Sequence, residues 1–431
     1  MTIREEVLIM ASTLLKLLKS SSIPVWILSF YIFIWYLQIG NRFGLLGQIR
    51  IEFILGAVLI VLSLVYTNKN TNLRSPDLHT PFIRSIYFFY CFIILYTVFS
   101  YDSERSQSVF FDRVFKFSML TLFIGALVRT KAELILVLLG FLLAMGKIIQ
   151  EGVLGVVTGG MVWENQGIPR LHGVTLLYRH PNSLSGLAVS ALPFFLLLFR
   201  FQSFYLKLAF LGAIAGLLVI VMYTGSRTGY VATLFLFLIL TARVGLFKAK
   251  TILLLFAVFF IALPVIPTAS KDRFGTMFKS NEERGRSANK RMEIITDAFE
   301  IAAKYPFGVG VQAFPHVREV EFGRKQDTHN LYLEILTNLG PLGFIAFWVF
   351  VISLIRTNRK SQKILLEKRQ FFIAEVCYII NLYIMCRLVL GLFGMDLYEV
   401  YWWFAAGFTS ALAKLAITSE QLPAIEPKSE R

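Results

Sequence analysis

The stretch "DTHNLYL" places one of the chain's five histidines, His329, between a long polar segment and an apolar run. Asp327, Thr328 and Asn330 are residue types that cap helix N-termini, so they predict that His329 lies in the first turn of a helix. The positive end of the helix dipole disfavours imidazolium, and a neutral imidazole can accept a proton. The pattern predicts a general base. The alternative is a histidine that only contributes to the cap.

Arg227 lies in "YTGSRTGYV", between two apolar runs, where Gly225 and Gly229 allow a tight reversal of the chain. Ser226, Arg227 and Thr228 begin the second run, and free backbone N–H groups at a helix start favour an anion. We therefore predict that Arg227 binds an anionic group. The alternative is an arginine that extends to lipid headgroups.

Arg291 lies in a segment, Ser287 to Lys304, whose pattern predicts an amphipathic helix. Four apolar residues share its helical face: Ile294, Ile295, Ala298 and Ile301. An arginine that met only water would lie on the opposite face, so the pattern favours a guanidinium that binds a phosphate with two hydrogen bonds. The alternative is a structural ion pair with Glu293 or Asp297.

A further group of candidates lies in "RLHGVTLLYRHPNSLSG", which contains Arg170, Arg179 and His180. Its X-Pro-Asn turn, followed by small residues, predicts the entry to a helix. The histidines of the chain lack the spacing of metal ligands, and no D-x-D pair is present to hold a metal-bound nucleotide. We therefore expect neither a metal nor a nucleotide cofactor.

The elements that position these residues are membrane helices. Hydrophobic residues make up 56% of the chain and charged residues 16%, with a mean hydropathy of +0.65, a balance typical of polytopic membrane proteins. An all-α fold with about twelve transmembrane helices is predicted from apolar runs suited to a hydrocarbon core about 30 Å thick. The predicted spans are Ile23–Ile39, Ile51–Tyr66, Ser85–Ser100, Val114–Val128, Ala132–Ile148, Ser183–Leu198, Phe204–Tyr223, Thr228–Ala242, Thr251–Ile266, Gly340–Ile355, Phe371–Phe393 and Tyr401–Leu415.

Residues 1–431 are predicted to form a single transmembrane domain. Val7 to Leu18 is interpreted as an amphipathic helix on the membrane surface, because no small-residue cleavage pattern of a signal peptide follows it. Cys91, Cys377 and Cys386 fall inside predicted spans, so no disulfide framework is expected.

Basic residues in the short loops predict the orientation. The loop between spans eight and nine has three basic residues and no acid, and the loop between spans ten and eleven is strongly basic: Arg356, Arg359, Lys360, Lys363, Lys368 and Arg369. These loops and both termini are predicted to be cytoplasmic. The net charge of +16 follows from this topology and does not indicate nucleic-acid binding.

The opposite, outer face carries the loop Glu151–Asn182, the turn Gly225–Thr228 and a long loop of residues 267–328, which contains the amphipathic helix between spans nine and ten. All the candidate residues named above are therefore expected at the outer face.

Four blocks resemble the O-antigen ligase and polymerase superfamily: "RLHGVTLLYRHPNSLSG", "TGSRTGYV", "RSANKRMEIITDAFEIAAKYPFGVG" and "DTHNLYLEILTNLGPLGF". Their order is that of the family, with the long loop between spans nine and ten, and the resemblance covers roughly residues 170–343, the family-like catalytic region. Ten residues separate His329 from Gly340, which matches the histidine-to-glycine spacing of the ligase branch. The superfamily consists of bacterial membrane glycosyltransferases that use glycans carried on polyprenyl diphosphate.

The resemblance implies that Arg227 and Arg291 bind the pyrophosphate of the donor and that His329 handles the acceptor hydroxyl. The family often has an aromatic residue four positions after its loop arginine, but Ile295 stands there in this chain. Arg286 therefore stays open as an alternative counterpart to Arg291. Arg170, Arg179 and His180 are additional candidates for the site.

The expected activity is that of an inverting glycosyltransferase of the O-antigen ligase type, independent of metal and nucleotide. It would transfer a glycan from polyprenyl (undecaprenyl) diphosphate to a hydroxyl of a glycan, lipid A-core or other acceptor during surface polysaccharide biosynthesis. The place of reaction would be the outer face of the bacterial cytoplasmic membrane.

Two alternatives of the same class stay open: a polymerase that extends the glycan on its own carrier, and a transferase that places it on protein. A transporter or flippase would also have about twelve spans. It is disfavoured because few charged residues lie within the spans and no inverted repeat is visible.

Overall fold

A computed structural model of the chain describes residues 20–68, 76–165, 168–243 and 282–420. Three predicted features lie outside the described residues: the surface helix Val7–Leu18, the ninth span Thr251–Ile266, and residues 267–281 of the long outer loop.

Helices dominate the described residues. In chain order they are α1 (Ile23–Leu37), α2 (Ile39–Arg42), α3 (Gly44–Gln48), α4 (Ile51–Asn68), α5 (Pro76–Val98), α6 (Ser103–Val109), α7 (Lys116–Leu127), α8 (Lys131–Thr158), α9 (Pro181–Leu198), α10 (Phe204–Tyr223), α11 (Arg227–Arg243), α12 (Glu282–Lys304), α13 (Phe314–Phe322), α14 (Leu331–Glu367), α15 (Phe371–Leu390) and α16 (Val400–Thr418). A π-helical segment, Phe110–Phe115, joins α6 to α7, and short 3₁₀ turns lie at Leu176–Tyr178 and Phe199–Phe201.

Seven helices within the described residues are long and apolar enough to cross a membrane: Pro81–Val98, Lys131–Thr158, Pro181–Phe201, Phe204–Tyr223, Leu331–Glu367, Phe371–Leu390 and Val400–Thr418. Two shorter apolar helices are Ile23–Leu37 and Ile51–Tyr66. The predicted class, an all-α polytopic membrane protein, agrees with this architecture. The total of twelve spans stays a prediction.

A small β-hairpin in the loop between α8 and α9 was not expected from the sequence. Strand β1 (Val162–Asn165) pairs antiparallel with β2 (Ile168–Leu171), and Trp163 lies opposite Arg170. The strands are four residues each, too short for the alternation of apolar and polar residues to identify them.

The core is built around α16, which packs against α7, α14 and α15. Its Trp402 and Trp403 are fully buried, and the Trp402 ring meets Phe347 of α14 edge to face at 5.1 Å. Helix α1 packs closely on α8, because a Cβ atom at Gly140 would lie only 2.3 Å from the backbone oxygen of Ser29. Such small residues let membrane helices approach each other closely.

A second, smaller apolar cluster joins α12, α13 and the first turn of α14, with Ala298, Ile301, Phe314, Val317 and Leu333 among its buried members. Helix α12 spans the segment predicted as an amphipathic helix and buries Ala298 and Ile301, whereas Arg291, predicted on the same face, is exposed. A buried ion pair between Asp297 and Arg318, with 2.8 Å between Oδ2 and Nε, fastens α12 to α13. The described part of the long loop, residues 282–328, is therefore packed onto the start of α14.

Candidate active site

His329 lies directly before the helix cap. The N-cap of α14 is Asn330, whose Oδ1 accepts hydrogen bonds from the backbone N–H groups of Tyr332 at 2.9 Å and Leu333 at 3.1 Å. The prediction that His329 occupies the first helical turn was wrong, because Asn330 satisfies these free N–H groups and the helix starts one residue later.

The backbone of His329 adopts a left-handed conformation, with φ of +49°. Residues other than glycine rarely adopt positive φ, and such strained conformations cluster at functional sites. His329 is also exposed at the surface. The loop therefore holds His329 at the entrance of α14, with its backbone in an energetically unfavourable conformation.

The ten-residue spacing between His329 and Gly340 has a structural explanation. Helix α14 kinks at Gly340, where φ is +61° and ψ is −177°, and glycine takes this conformation without a Cβ clash. Beside the kink, the carbonyls of Thr337 and Asn338 accept 2.9 Å hydrogen bonds from backbone N–H groups of the "GVG" turn that follows α12. The short helical segment between the histidine and the kink thus fixes the turn relative to the histidine.

Surrounding groups set the protonation of His329. Partial desolvation by neighbouring groups is the main effect and lowers the pKa of His329, although part of the residue is exposed to solvent. Asp327 opposes this shift, while the positive charge of Arg291 lowers the pKa further. A lowered pKa favours the neutral imidazole at physiological pH, and its causes are desolvation by neighbouring groups and the charge of Arg291 in place of the helix dipole.

Asp327 is a neighbour of His329 whose role the sequence analysis missed. Its Oδ1 accepts a 2.8 Å hydrogen bond from Nε2 of Gln312, which fixes the carboxyl group. Burial raises the pKa of Asp327, and among the groups that oppose this shift His329 has the largest effect. The two-residue spacing from His329 was the available signal, but Asp327 had been considered only as a capping residue.

His180 caps α9 and lies within electrostatic range of His329. Its Nδ1 accepts a 3.2 Å hydrogen bond from the backbone N–H of Asn182, so Nδ1 carries no proton and Nε2 is the donor of the neutral ring. Burial, Arg170 and His329 all lower the pKa of His180. The helix entry predicted at the X-Pro-Asn turn is confirmed, and His329, from a distant block, lies within electrostatic range of His180.

Arg170 connects two of the blocks. Its side chain is buried, its Nε donates to the backbone oxygen of Thr224 at 2.7 Å, and its Nη2 donates to Oδ1 of Asn182 at 2.7 Å. Arg170 therefore ties the start of α9 to the turn that precedes Arg227. These bonds indicate a positioning role for Arg170.

Arg227 is the first residue of α11 and is exposed. The predicted reversal is present, with φ of +57° at Gly225, and the backbone N–H of Gly229 donates to Ser226 Oγ at 3.3 Å. A Cβ atom at Gly229 would lie 2.0 Å from Ser185 Oγ, so the first turn of α11 packs directly on the first turns of α9. Arg227 therefore begins a helix beside the one that His180 caps.

Arg291 is exposed on α12, and its charge acts on His329. The two acids considered as its structural partners pair with other arginines: Glu293 with Arg324, and Asp297 with Arg318. Arg291 is thus placed near the candidate base. The side chain of its alternative, Arg286, lies outside the described residues.

Arg179 contacts the β-hairpin, and no side-chain hydrogen bond joins it to another candidate residue in the described part of the chain. It is exposed, and its guanidinium carbon lies 5.8 Å from the centroid of the Trp163 ring, near the outer limit of a cation–π contact. This contact connects Arg179 to the β-hairpin.

These features define a polytopic membrane protein whose candidate histidines and arginines gather at one end of its helices. Residues 212–348 match the model of the family described as O-Antigen ligase, and this region contains Arg227, Arg291 and His329. The match covers about a third of the chain and supports the resemblance to the O-antigen ligase and polymerase superfamily that the four sequence blocks indicated. No curated protein matches the chain.

The members of this family are glycosyltransferase-like enzymes, and the apolar helices together with the family indicate a bacterial membrane protein. The bilayer and glycan substrates are thereby implied.

Proposed function

We propose that this protein transfers a glycan from a polyprenyl diphosphate carrier to an acceptor hydroxyl, as an O-antigen ligase does, on the outer face of the cytoplasmic membrane. The observation that supports the proposal is that His329, at the entrance of α14, is exposed to the charges of Asp327 and Arg291 and itself lowers the pKa of His180. A base and cations in one place suit a reaction in which a proton leaves one substrate and negative charge develops on the other.

The arginines act on the leaving group. When the bond between the anomeric carbon and the phosphate oxygen breaks, its electron pair goes to the diphosphate, whose negative charge increases. Arg227 and Arg291 stabilise that charge by hydrogen bonds from their guanidinium groups. A diphosphate is already a good leaving group, so the reaction needs neither a metal ion nor nucleotide hydrolysis.

His329 acts on the acceptor. The acceptor oxygen attacks the anomeric carbon while its proton moves to the neutral imidazole, a contribution of about a hundred- to ten-thousand-fold in rate. Asp327 lies where it stabilises the imidazolium that results. Direct displacement inverts the anomeric centre.

The length of α14 supports the outer location. From its kink to Glu367 the helix is roughly 40 Å long at 1.5 Å per residue, which exceeds a hydrocarbon core of about 30 Å. The basic residues of its C-terminal part therefore emerge on the side of the membrane opposite His329. Basic loops stay cytoplasmic, so His329 faces outward. With the predicted even number of spans, we propose that both termini face the cytoplasm.

Ligase and polymerase share the donor and differ in the acceptor. A deletion strain distinguishes them: lipid A-core without polymer, together with accumulated lipid-linked polymer, indicates a ligase, whereas accumulated single repeat units indicate a polymerase. A transferase that modifies protein would leave lipid A-core glycosylation unchanged.

The direct test uses purified protein, a polyprenyl diphosphate glycan and candidate acceptors, without added metal or ATP. We expect glycan transfer by the wild type and transfer reduced by at least about a hundredfold for His329→Ala. Equal rates for the two proteins would remove His329 from the mechanism, and an absence of transfer to every hydroxyl acceptor would contradict the proposed reaction.

A further inference from the structure

Arg387 is a buried arginine near the C-terminal end of α15 that the proposed mechanism does not use. Its side chain is only 3% exposed, and Nη1 donates a 3.2 Å hydrogen bond to Oδ2 of Asp396. The guanidinium carbon lies 3.1 Å from the centroid of the Tyr401 ring. Nε and Nη2 have no hydrogen-bond partner among the described residues. The Tyr383 hydroxyl lies close to this guanidinium and interacts with it electrostatically.

A purely structural role leaves this arrangement incompletely explained. Asp396, the Tyr401 ring and the negative end of the α15 dipole all stabilise the positive charge. They do not satisfy the N–H groups at Nε and Nη2, and an unpaired polar group in an apolar environment is destabilising. Ionisable side chains inside membrane domains are accordingly concentrated at functional sites.

The depth of Arg387 relative to His329 follows from the backbone. The Arg387 carbonyl accepts a hydrogen bond from the N–H of Gly391, and the Gly391 carbonyl accepts one from the N–H of Leu331, both at 2.8 Å. Leu331 begins the helix directly after His329 and Asn330. Arg387 therefore lies about one helical turn deeper in the helix bundle than the candidate base.

Arg387 also faces the start of α9. A Cβ atom built on Gly186 would lie 3.5 Å from Nη1 of Arg387, an ordinary van der Waals contact. The preceding residue, Ser185, meets Gly229 of the Arg227 helix, and the Ser185 hydroxyl is buried without a hydrogen-bond partner in the described part of the chain.

Three arginine-bearing segments thus surround the N-terminal turns of one helix, α9. Arg170 contacts it through Asn182, the turn of Arg227 through Gly229, and Arg387 through Gly186. The helix N-terminus adds partial positive charge to the same region. Such a concentration of positive charge favours an anion with several oxygen acceptors.

We propose that Arg387 is a third residue that binds the donor diphosphate and that it contacts the phosphate attached to the lipid. This inference rests on the proposed function. In a polyprenyl diphosphate glycan the lipid, the first phosphate, the second phosphate and the sugar follow one another from the membrane outward. Arg387 lies deeper than His329, so it suits the lipid-linked phosphate, while the phosphate that leaves the sugar lies nearer the base.

The test compares Arg387→Met with Arg318→Met. Arg318 is also buried and paired with an aspartate, but both its Nε and its Nη2 lie 2.8 Å from Asp297 Oδ2. It lies on α13, next to Val317 of the second apolar cluster. The probes are undecaprenyl diphosphate and undecaprenyl monophosphate, added to detergent-purified protein, with affinity and thermal stabilisation measured. The monophosphate carries only the lipid-linked phosphate.

We expect Arg387→Met to weaken the binding of both probes by about tenfold to a hundredfold, the range for one charge-assisted contact. Arg318→Met should lower the melting temperature without changing either affinity. If Arg387→Met does not fold, Arg387→Lys provides the test, because it retains the charge but loses the planar group of donors.

A folded Arg387 variant with wild-type affinity for both probes would overturn the inference and leave the proposed function intact. Weakened binding of the diphosphate alone would overturn the assignment of Arg387 to the lipid-linked phosphate. If the wild type bound neither probe, the proposed function would fail, and the inference would fail with it.

Discussion

Gly308 and Gly340 lie in backbone contact: a Cβ atom on Gly308 would be 2.6 Å from the backbone nitrogen of Gly340. Both residues have positive φ, +84° and +61°. The contact holds the turn after α12 against the kink of α14, so this turn and the helical segment that begins beside His329 form one unit.

We predict that Gly340→Ala disrupts this unit. The Cβ atom of the alanine would lie 2.8 Å from the carbonyl carbon of Phe307. The left-handed backbone conformation at alanine destabilises the folded protein by a further amount of about 1–3 kcal/mol. The melting temperature and transfer activity should both fall. Gly212→Ala is the control, because no atom lies within 4 Å of its Cβ position and that variant should match the wild type. Equal stability of the two variants would contradict the prediction.

The pH dependence of transfer should follow His329. Because its pKa is lowered, the neutral base is present at pH 7, and activity should decline as pH falls through a value below the ordinary 6.5 or so. Rates measured across the acidic range locate this decline. A wild-type profile that is flat through that range would argue against a histidine base.

Two substitutions should move that decline in opposite directions. Arg291→Gln removes a positive charge that lowers the pKa of His329, so the decline should begin at higher pH. Asp327→Asn removes a negative charge that raises this pKa, so the decline should move to lower pH. The maximal rates can differ, since only the position of the decline is compared. Shifts in the same direction would show that these charges do not act on the catalytic base.

Donor binding should depend on the shape of the arginine side chains as well as on their charge. Lysine cannot make two parallel hydrogen bonds to one phosphate, so Arg227→Lys and Arg291→Lys should each lower kcat/KM by about tenfold to a hundredfold. Arg324→Lys, in an ion pair with Glu293, is the control and should retain activity. Membrane insertion is checked for all three variants. A lysine variant with wild-type kcat/KM would identify that arginine as structural.

The orientation can be tested by labelling of introduced cysteines. Lys325 is 64% exposed in the outer loop, and Lys363 is exposed at the basic end of α14. The native Cys91 is exposed and is first replaced by serine, whereas Cys377 and Cys386 are buried. A membrane-impermeant thiol reagent should label Lys325→Cys in intact spheroplasts and Lys363→Cys only after lysis. The reverse pattern would overturn the outer location of the site.

The sequence by itself determined the membrane class, the apolar helices and several of their boundaries. Apolar runs and N-terminal capping residues depend on interactions within a few residues, so they are visible without a fold. The same reasoning found the amphipathic face of α12, the turn before Arg227 and the helix entry at His180. It predicted His329 within the first helical turn, whereas His329 lies directly before the N-cap Asn330. Asp327, Thr328 and Asn330 are all suitable capping residues, and local preference does not choose among them.

Only the tertiary structure decided which groups meet. His329 lowers the pKa of His180, and Arg387 lies beside Gly186, although long stretches of chain separate the partners. Neither hydrophobic periodicity nor capping carries information about such long-range contacts, which result from how α9, α14 and α15 pack. The local sequence supplied the histidines and arginines, and the packing of the helices set their distances, burial and charges, on which a pKa or an anion site depends.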